Sequence, residues 1–203
     1  MAAGGHRPVV ARRNTRALWT EAVRNGSVGR TPSAKPRARP PTASRGFQGI
    51  ILGIDPSLRG TGLAVVDTRG AEPRLLASLT LRMHASVPTH VCLARIHEAA
   101  LRLAAEHKAQ AFALEATVYV QNLRTVHILG ASRGAALAAA GALGLPVAEY
   151  APSRIKQAVT GNGKASKEQV EGMIRKVLGL DQRLPLDESD AAAAALCHGW
   201  SAR

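Results

Sequence analysis

Residues 49–67 read GIILGIDPSLRGTGLAVVD: two short, continuous apolar runs parted by the five-residue link PSLRG. Runs of this length suit buried strands. So short a link joins the two strands as a hairpin. A chain that commits to buried strands must cover them, and the following segments read as that cover. Pro73–Met83 alternates apolar and polar residues as a third strand does. Pro88–His107 has the helical period, with Val91, Leu93, Ala94, Ile96, Ala99, Ala100, Leu101, Leu103 and Ala104. Gln110–Ala116, QAFALEA, is a short buried strand. Asn122–Leu143 reads as a long helix with Ala- and Gly-rich faces, although Gly130, Gly134 and Gly141 cost helix propensity. LPVAEYAP is a fifth strand ending at Pro152, and SRIKQAVTG a short helix. SKEQVEGMIRKVLGL is a helix whose start is written out, since Ser166 caps it and Gln169 completes a capping box. The last helix runs from about Asp187 to Trp200. Three meandering strands followed by strand–helix alternation predict an α/β architecture: a five-stranded mixed sheet with helices on both faces. No internal repeat is visible.

Four acids stand out by placement. Asp55 ends the first strand and Glu115 the fourth, while Asp187 and Asp190, three apart, share one face of the last helix. Taken singly, Asp55 has three readings: it holds a metal at a nucleotide's phosphates, holds one at a nucleic-acid backbone, or caps the turn before Pro56. Asp187, Glu188 and Asp190 have a bland reading as first-turn acids stabilised by the helix macrodipole. Glu115 is harder to dismiss, because a solitary charge avoids an apolar context such as AFAL…ATVYV. Strand ends on one side of a sheet lie close together, and a helix crossing them brings its acids to meet them. Carboxylates converging in this way repel one another, and a hard divalent cation such as Mg²⁺ resolves the repulsion. Two such ions clamp a phosphodiester and activate water.

A basic group accompanies the acids. Thr160–Val170, TGNGKASKEQV, is a Gly-containing loop running into a helix N-terminus. Lys167 sits in that first turn, the end where the helix dipole disfavours a cation. The placement makes sense if Lys167 and Lys164 share an anion with the amide groups; the alternative is that both are solvated. Lys156 on the preceding helix is within reach of the same region. Arg124 and Arg133 on the long helix are candidates for backbone contacts, with solvated positions as the alternative. An exposed Tyr119 is able to stack on a base, and ordinary packing explains it equally well. No histidine pairs at ligand spacing, and His198 lies about two turns beyond Asp190.

Composition narrows the partner. Aromatics are only 3% and hydrophobic residues 46%, so Ala, Leu, Val and Ile build the core. The formal charge of +13 argues for an anionic partner, nucleic acid or an acidic membrane surface. Much of that charge falls in residues 1–48, where ten Lys and Arg face a single acid, Glu21. This stretch is Pro- and Arg-rich without an apolar period, and it reads as a disordered extension ahead of one folded domain, 49–203. It is open to three interpretations: an organelle transit peptide, an arm adding salt-dependent DNA affinity, or a solvated extension. Trp19 reads as a local packing residue. Cys92 and Cys197 lack zinc-site spacing and fit a reducing compartment. No apolar run reaches the roughly 18 residues that span a bilayer, and no secretory h-region follows the first basic residues.

The stretches ILGIDPSLRGTGLAVVD, LEATVYVQNLRTVHILGASRGAALAAAG, EYAPSRIKQAVTGNGKASKEQV and LDESDAAAAALCH together resemble the RuvC family. These are Holliday-junction resolvases (crossover junction endodeoxyribonucleases) of the RNase H-like fold. The resemblance spans essentially all of 50–198, in the family's order and spacing. It implies a homodimer that binds four-way branched DNA and makes two symmetric nicks in recombination and repair. It implies two Mg²⁺ per active site, with Mn²⁺ able to substitute, held by Asp55, Glu115, Asp187 and Asp190. Lys156 and Lys167 match the family's two functionally important lysines. The family often has a junction-opening aromatic three positions after the Glu; here that position is Val118, with Tyr119 next to it. A branch-migration helicase is the implied partner, and neither membrane attachment nor a small-molecule cofactor is expected. A bacterial cytoplasmic setting is the simpler assumption, beside organelle targeting by residues 1–48.

Three rivals stand against this. An ATPase of the actin- and hexokinase-like group shares the strand–Asp–turn–strand pattern but needs two lobes, and this body has room for one. A junction-binding scaffold without catalysis fits less well with all four acids present. A nuclease of the same fold acting on RNA–DNA hybrids would be separated by substrate competition.

Overall fold

A computed structural model gives the structure, which describes residues 46–116 and 123–201. The extension 1–45, Val118, Tyr119 and the expected helix start at Asn122 lie outside the described residues. Five strands are described: β1 (Ile50–Asp55), β2 (Gly60–Asp67), β3 (Arg74–Arg82), β4 (Ala111–Glu115) and β5 (Val147–Tyr150). They form one sheet in the order β3-β2-β1-β4-β5. The first three strands are antiparallel neighbours, as the short link between β1 and β2 requires, whereas β4 lies parallel to β1 and β5 parallel to β4. The helices are α1 (Thr89–Glu106), α2 (Leu123–Ala142), α3 (Pro152–Thr160), α4 (Lys167–Val177) and α5 (Leu186–Ser201).

The two faces of the sheet separate along each strand with period two. Ile50, Leu52, Ile54, Leu63, Val65, Phe112 and Leu114 face α1 and α2, whose buried side chains include Cys92, Ile96, Leu103, Ala136 and Ala140. The alternate residues Ile51, Ala64, Val66 and Ala113 face α3, α4 and α5, which supply Ile155, Val170, Ile174 and the run Ala191–Cys197. Because β1, β2 and β4 are covered on both sides, they read as continuous apolar runs. Helices on both faces of a mixed sheet are therefore the observed architecture. Among the described residues, no helix is long and apolar enough to cross a membrane.

The second face is built for close contact. A Cβ on Gly53 would run into the Ala191 carbonyl, and one on Gly62 into the Asp187 carbonyl. Glycine at both positions, opposite an alanine-rich helix, lets the backbone of α5 lie directly on β1 and β2. The other helices are fixed by local chemistry. Ser166 accepts the Gln169 N–H while the Gln169 side chain accepts the Ser166 N–H, completing the expected capping box at the start of α4. Gly161 ends α3 in the left-handed region at φ 76°.

Candidate active site

Ile54 pairs with Leu114 across the parallel β1–β4 ladder. Asp55 and Glu115, the next residues, therefore end adjacent strands at the same level. By strand parity they point to the face of Ile51, Gly53 and Ala113, the face that α5 covers. Asp187 and Asp190 lie in the first turns of α5, and the glycine contacts press that end onto the sheet. Asp187 Oδ2 stands over Gly60 at the start of β2. Asp190 Oδ2 is 3.6 Å from Lys167 Nζ, at the start of α4. A cleft of about 300 Å³ opens here, lined among others by Asp55, Glu115, Lys156, Lys167 and Asp190.

The electrostatics carry the mark of this crowding. The Asp55 carboxyl is pushed up from 3.8 to about 7, first by burial and then by the charges of Asp190, Glu115 and Asp187, with Lys167 pulling the other way. Burial also raises Glu115, reinforced by Asp190 and opposed by Lys167 and Lys156. Asp190 is raised by burial against the pull of Lys167. Four acids thus share a field that two lysines only partly offset. The donors are carboxylate oxygens without thiolate or imidazole, a set suited to Mg²⁺ or Mn²⁺. As the side chains stand, no His, Cys, Asp or Glu group of three or more among the described residues is assembled to hold a metal ion. Asp190 is turned to Lys167 instead. On donor chemistry and unbalanced charge the residues fit such an ion.

The profile of the family described as "Crossover junction endodeoxyribonuclease RuvC" matches residues 51–198, a span holding all of these acids and lysines. The chain belongs to the RuvC family. A RuvC of Halorhodospira halophila is 48% identical over 148 residues, 73% of this chain and 88% of that protein. A RuvC of Salinibacter ruber is 42% identical over 151 residues, 74% and 84% of the two chains. Among solved structures, Thermus thermophilus RuvC is similar at 34% identity and a TM-score of 0.69, covering 74% of this chain and 93% of that one. The same protein in complex with a Holliday junction substrate matches with a TM-score of 0.71 and equal identity, over 75% and 93% of the chains. The yeast mitochondrial Holliday junction resolvase Ydc2, at 11% identity and a TM-score of 0.54, shares the fold. The RNase H-like reading of the RuvC sheet holds on these comparisons.

Not every expected residue reaches the cleft. Lys164 is exposed and does not line it; its backbone N–H is engaged by Asn162 Oδ1 at 3.0 Å, so it is a loop residue beside the site. The side chain of Arg124, like all of Tyr119, lies outside the described residues. Arg133 is turned inward: Nη1 donates to the Glu115 carbonyl at 2.9 Å, and the guanidinium pairs with Glu149. His198 is a core residue whose Nδ1 meets the Tyr150 hydroxyl at 2.8 Å.

Gln157 and Arg59 matter here although sequence reasoning passed over them, and Glu188, read above only as a first-turn acid, has specific partners. Gln157 closes the GNGK loop from both sides, donating to the Gly161 carbonyl and accepting the Gly163 N–H. Arg59, in the turn after Asp55, donates to the His84 and Val87 carbonyls and so ties that turn to the β3–α1 connection. Glu188 takes hydrogen bonds from Ser78 and Thr80. Ser78 and Thr80 share one face of β3, but no local signal ties them to Glu188.

Proposed function

We propose that this chain resolves four-way DNA junctions by paired symmetric nicks, as a homodimer dependent on divalent cations. One observation carries the reading. Asp55 and Glu115 leave neighbouring parallel strands at the same level, and glycine contacts press the helix bearing Asp187 and Asp190 onto that point. Its relatives named crossover junction endodeoxyribonuclease, and the likeness to a RuvC in complex with Holliday junction substrate, support the choice of branched DNA.

Asp55, Glu115, Asp187 and Asp190 would hold Mg²⁺, two ions per site, with Mn²⁺ as substitute. Bound there, the ions supply positive charge to the scissile phosphate and activate water. The protein's own part is to hold oxygen donors on a rigid sheet end and to keep the site from being neutralised by its own lysines. Lys167, 69% exposed beside Asp190, is free to turn toward a phosphate and stabilise charge developing on it. Lys156 brings a second positive charge from α3, Lys164 would meet the DNA backbone outside the cleft, and Arg124 is a further candidate for a backbone contact. Tyr119 would stack where the duplex arms open. A branch-migration helicase as partner is part of this reading, and the bacterial RuvC relatives favour a bacterial cytoplasmic setting over an organelle. In this reading residues 1–48 are an extension to the nuclease domain 49–203, although Phe47 packs against His198 and so belongs with the folded part.

The test is a nicking assay on a synthetic four-way junction and on a linear duplex of the same sequence, with Mg²⁺ or with EDTA. Two symmetric nicks in the junction, dependent on Mg²⁺, are expected. Equal cutting of both substrates, or cutting in EDTA, overturns the reading.

A further inference from the structure

The first turn of α5 carries Asp187 and begins the approach to Asp190, yet apolar burial does little to hold it. Leu186 is 59% exposed, and full burial begins only at Ser189. Two contacts fasten the turn. One is the Asp187 carbonyl against Gly62. The other is the side chain of Glu188, which accepts a hydrogen bond from Ser78 Oγ on Oε2 at 2.5 Å and from Thr80 Oγ1 on Oε1 at 2.9 Å. Both carboxylate oxygens are engaged by one strand. Thr80 pairs with Gly62 and Ser78 with Ala64, so the hydroxyls stand beside the part of β2 on which α5 rests.

Helix geometry gives this clamp its leverage. Successive residues turn by about 100°, so Glu188 and Asp190 flank Asp187 on opposite sides. Glu188 reaches toward β3, and Asp190 toward Lys167 on α4. Of the two sides, only the β3 side is held by side-chain hydrogen bonds, since the Lys167 facing Asp190 is exposed. The two hydroxyls direct the Glu188 carboxylate away from the other four acids.

We propose that Glu188, held by the Ser78 and Thr80 hydroxyls, is a positioning residue that fixes the rotation of the first turn of α5 and so presents Asp187 and Asp190 to a divalent cation. The inference rests on the reading that those acids hold one. It concerns the affinity of the site for the ion, not contact with DNA.

The test compares Glu188→Ala, Glu188→Gln and the double variant Ser78→Ala/Thr80→Val in the full chain. Mg²⁺ uptake is measured by calorimetry without DNA, alongside far-UV circular dichroism, the thermal midpoint and junction binding in EDTA. Glu188→Ala and the double variant are expected to weaken Mg²⁺ binding about tenfold, the lower end of what supporting partners of metal ligands contribute. Glu188→Gln, which keeps one acceptor oxygen, loses less, and junction affinity in EDTA stays within about twofold of wild type, since no DNA contact is removed. A double variant that is folded and binds Mg²⁺ like wild type overturns the proposal. So do equal losses in Glu188→Ala and Glu188→Gln with the double variant unaffected, which would make Glu188 act through its charge alone. If the wild type itself takes up no Mg²⁺, the cation reading of the site falls, and this inference with it.

Discussion

Gly62 lies against the backbone carbonyl of Asp187 with no side chain between them. The strand that pairs with β1 and the helix that brings two of the four acids therefore meet backbone to backbone, and the site inherits its geometry from that contact.

Gly62→Ala should accordingly damage both stability and activity. The added methyl has nowhere to go but into the Asp187 carbonyl, and overpacking of this kind costs about 1–3 kcal/mol. Denaturant unfolding should show a lower midpoint with an unchanged m-value. The nicking rate should fall by more than about tenfold, since a displacement near 1 Å is enough for that.

The carboxylate cluster predicts an unusual pH dependence for the cation-free protein. Asp55 binds its proton more tightly folded, at about 7, than unfolded, at 3.8. Between these values the folded state holds the extra proton, so stability is greatest at the acid end of the window and falls as pH rises through 7. A carboxyl moved this far accounts for at most about 4 kcal/mol, and roughly half of that is a reasonable expectation once the cluster relaxes. Asp55→Asn should remove the effect and make the protein more stable than wild type at pH 8 in EDTA. Thermal midpoints of the two proteins between pH 5 and 8 check this, and Mg²⁺ should raise the wild-type midpoint at pH 8 but not the variant's.

Arg133 tests the assignment of a basic residue to the interior. Its side chain is only 14% exposed, and its guanidinium serves the Glu115 carbonyl and Glu149. Arg133→Ala should lower stability by about 1 kcal/mol, the scale of a lost hydrogen bond to a half-buried carbonyl. The salt dependence of junction binding should keep its slope, whereas loss of a phosphate contact would reduce the slope by about one.

Lys167 should behave in the opposite way. Exposed at the cleft mouth, it contributes little to stability, as surface ion pairs are worth about 0–1 kcal/mol. Lys167→Ala should leave the thermal midpoint nearly unchanged and slow single-turnover nicking by roughly 100-fold, the scale of a lost electrostatic stabiliser.

Much of this was legible in the chain itself, for local reasons. The run lengths around Asp55 and Glu115 mark strands covered on both faces, and Ser166 with Gln169 writes the start of α4 into four residues. What stayed hidden depends on pairs distant in sequence. Nothing near Glu188 reveals that two hydroxyls 108 and 110 residues away receive it. Nothing near Arg133 tells that it is spent on β4 and β5 rather than offered to DNA. Gly53 and Gly62 read as ordinary strand glycines until the alanine face of α5 is laid on them. Lys164 and Lys167 are alike in sequence context, but only the second, at the first helical position, is carried to the carboxylates.

The most direct measurement of the central claim is single-turnover cleavage of a four-way junction by wild type and Asp55→Asn, paired with junction binding by each in EDTA. The account predicts Mg²⁺-dependent paired nicks by the wild type, no detectable nicks by the variant, and junction affinities that agree within about threefold, since the substitution removes no DNA contact. A variant that nicks at the wild-type rate would contradict it.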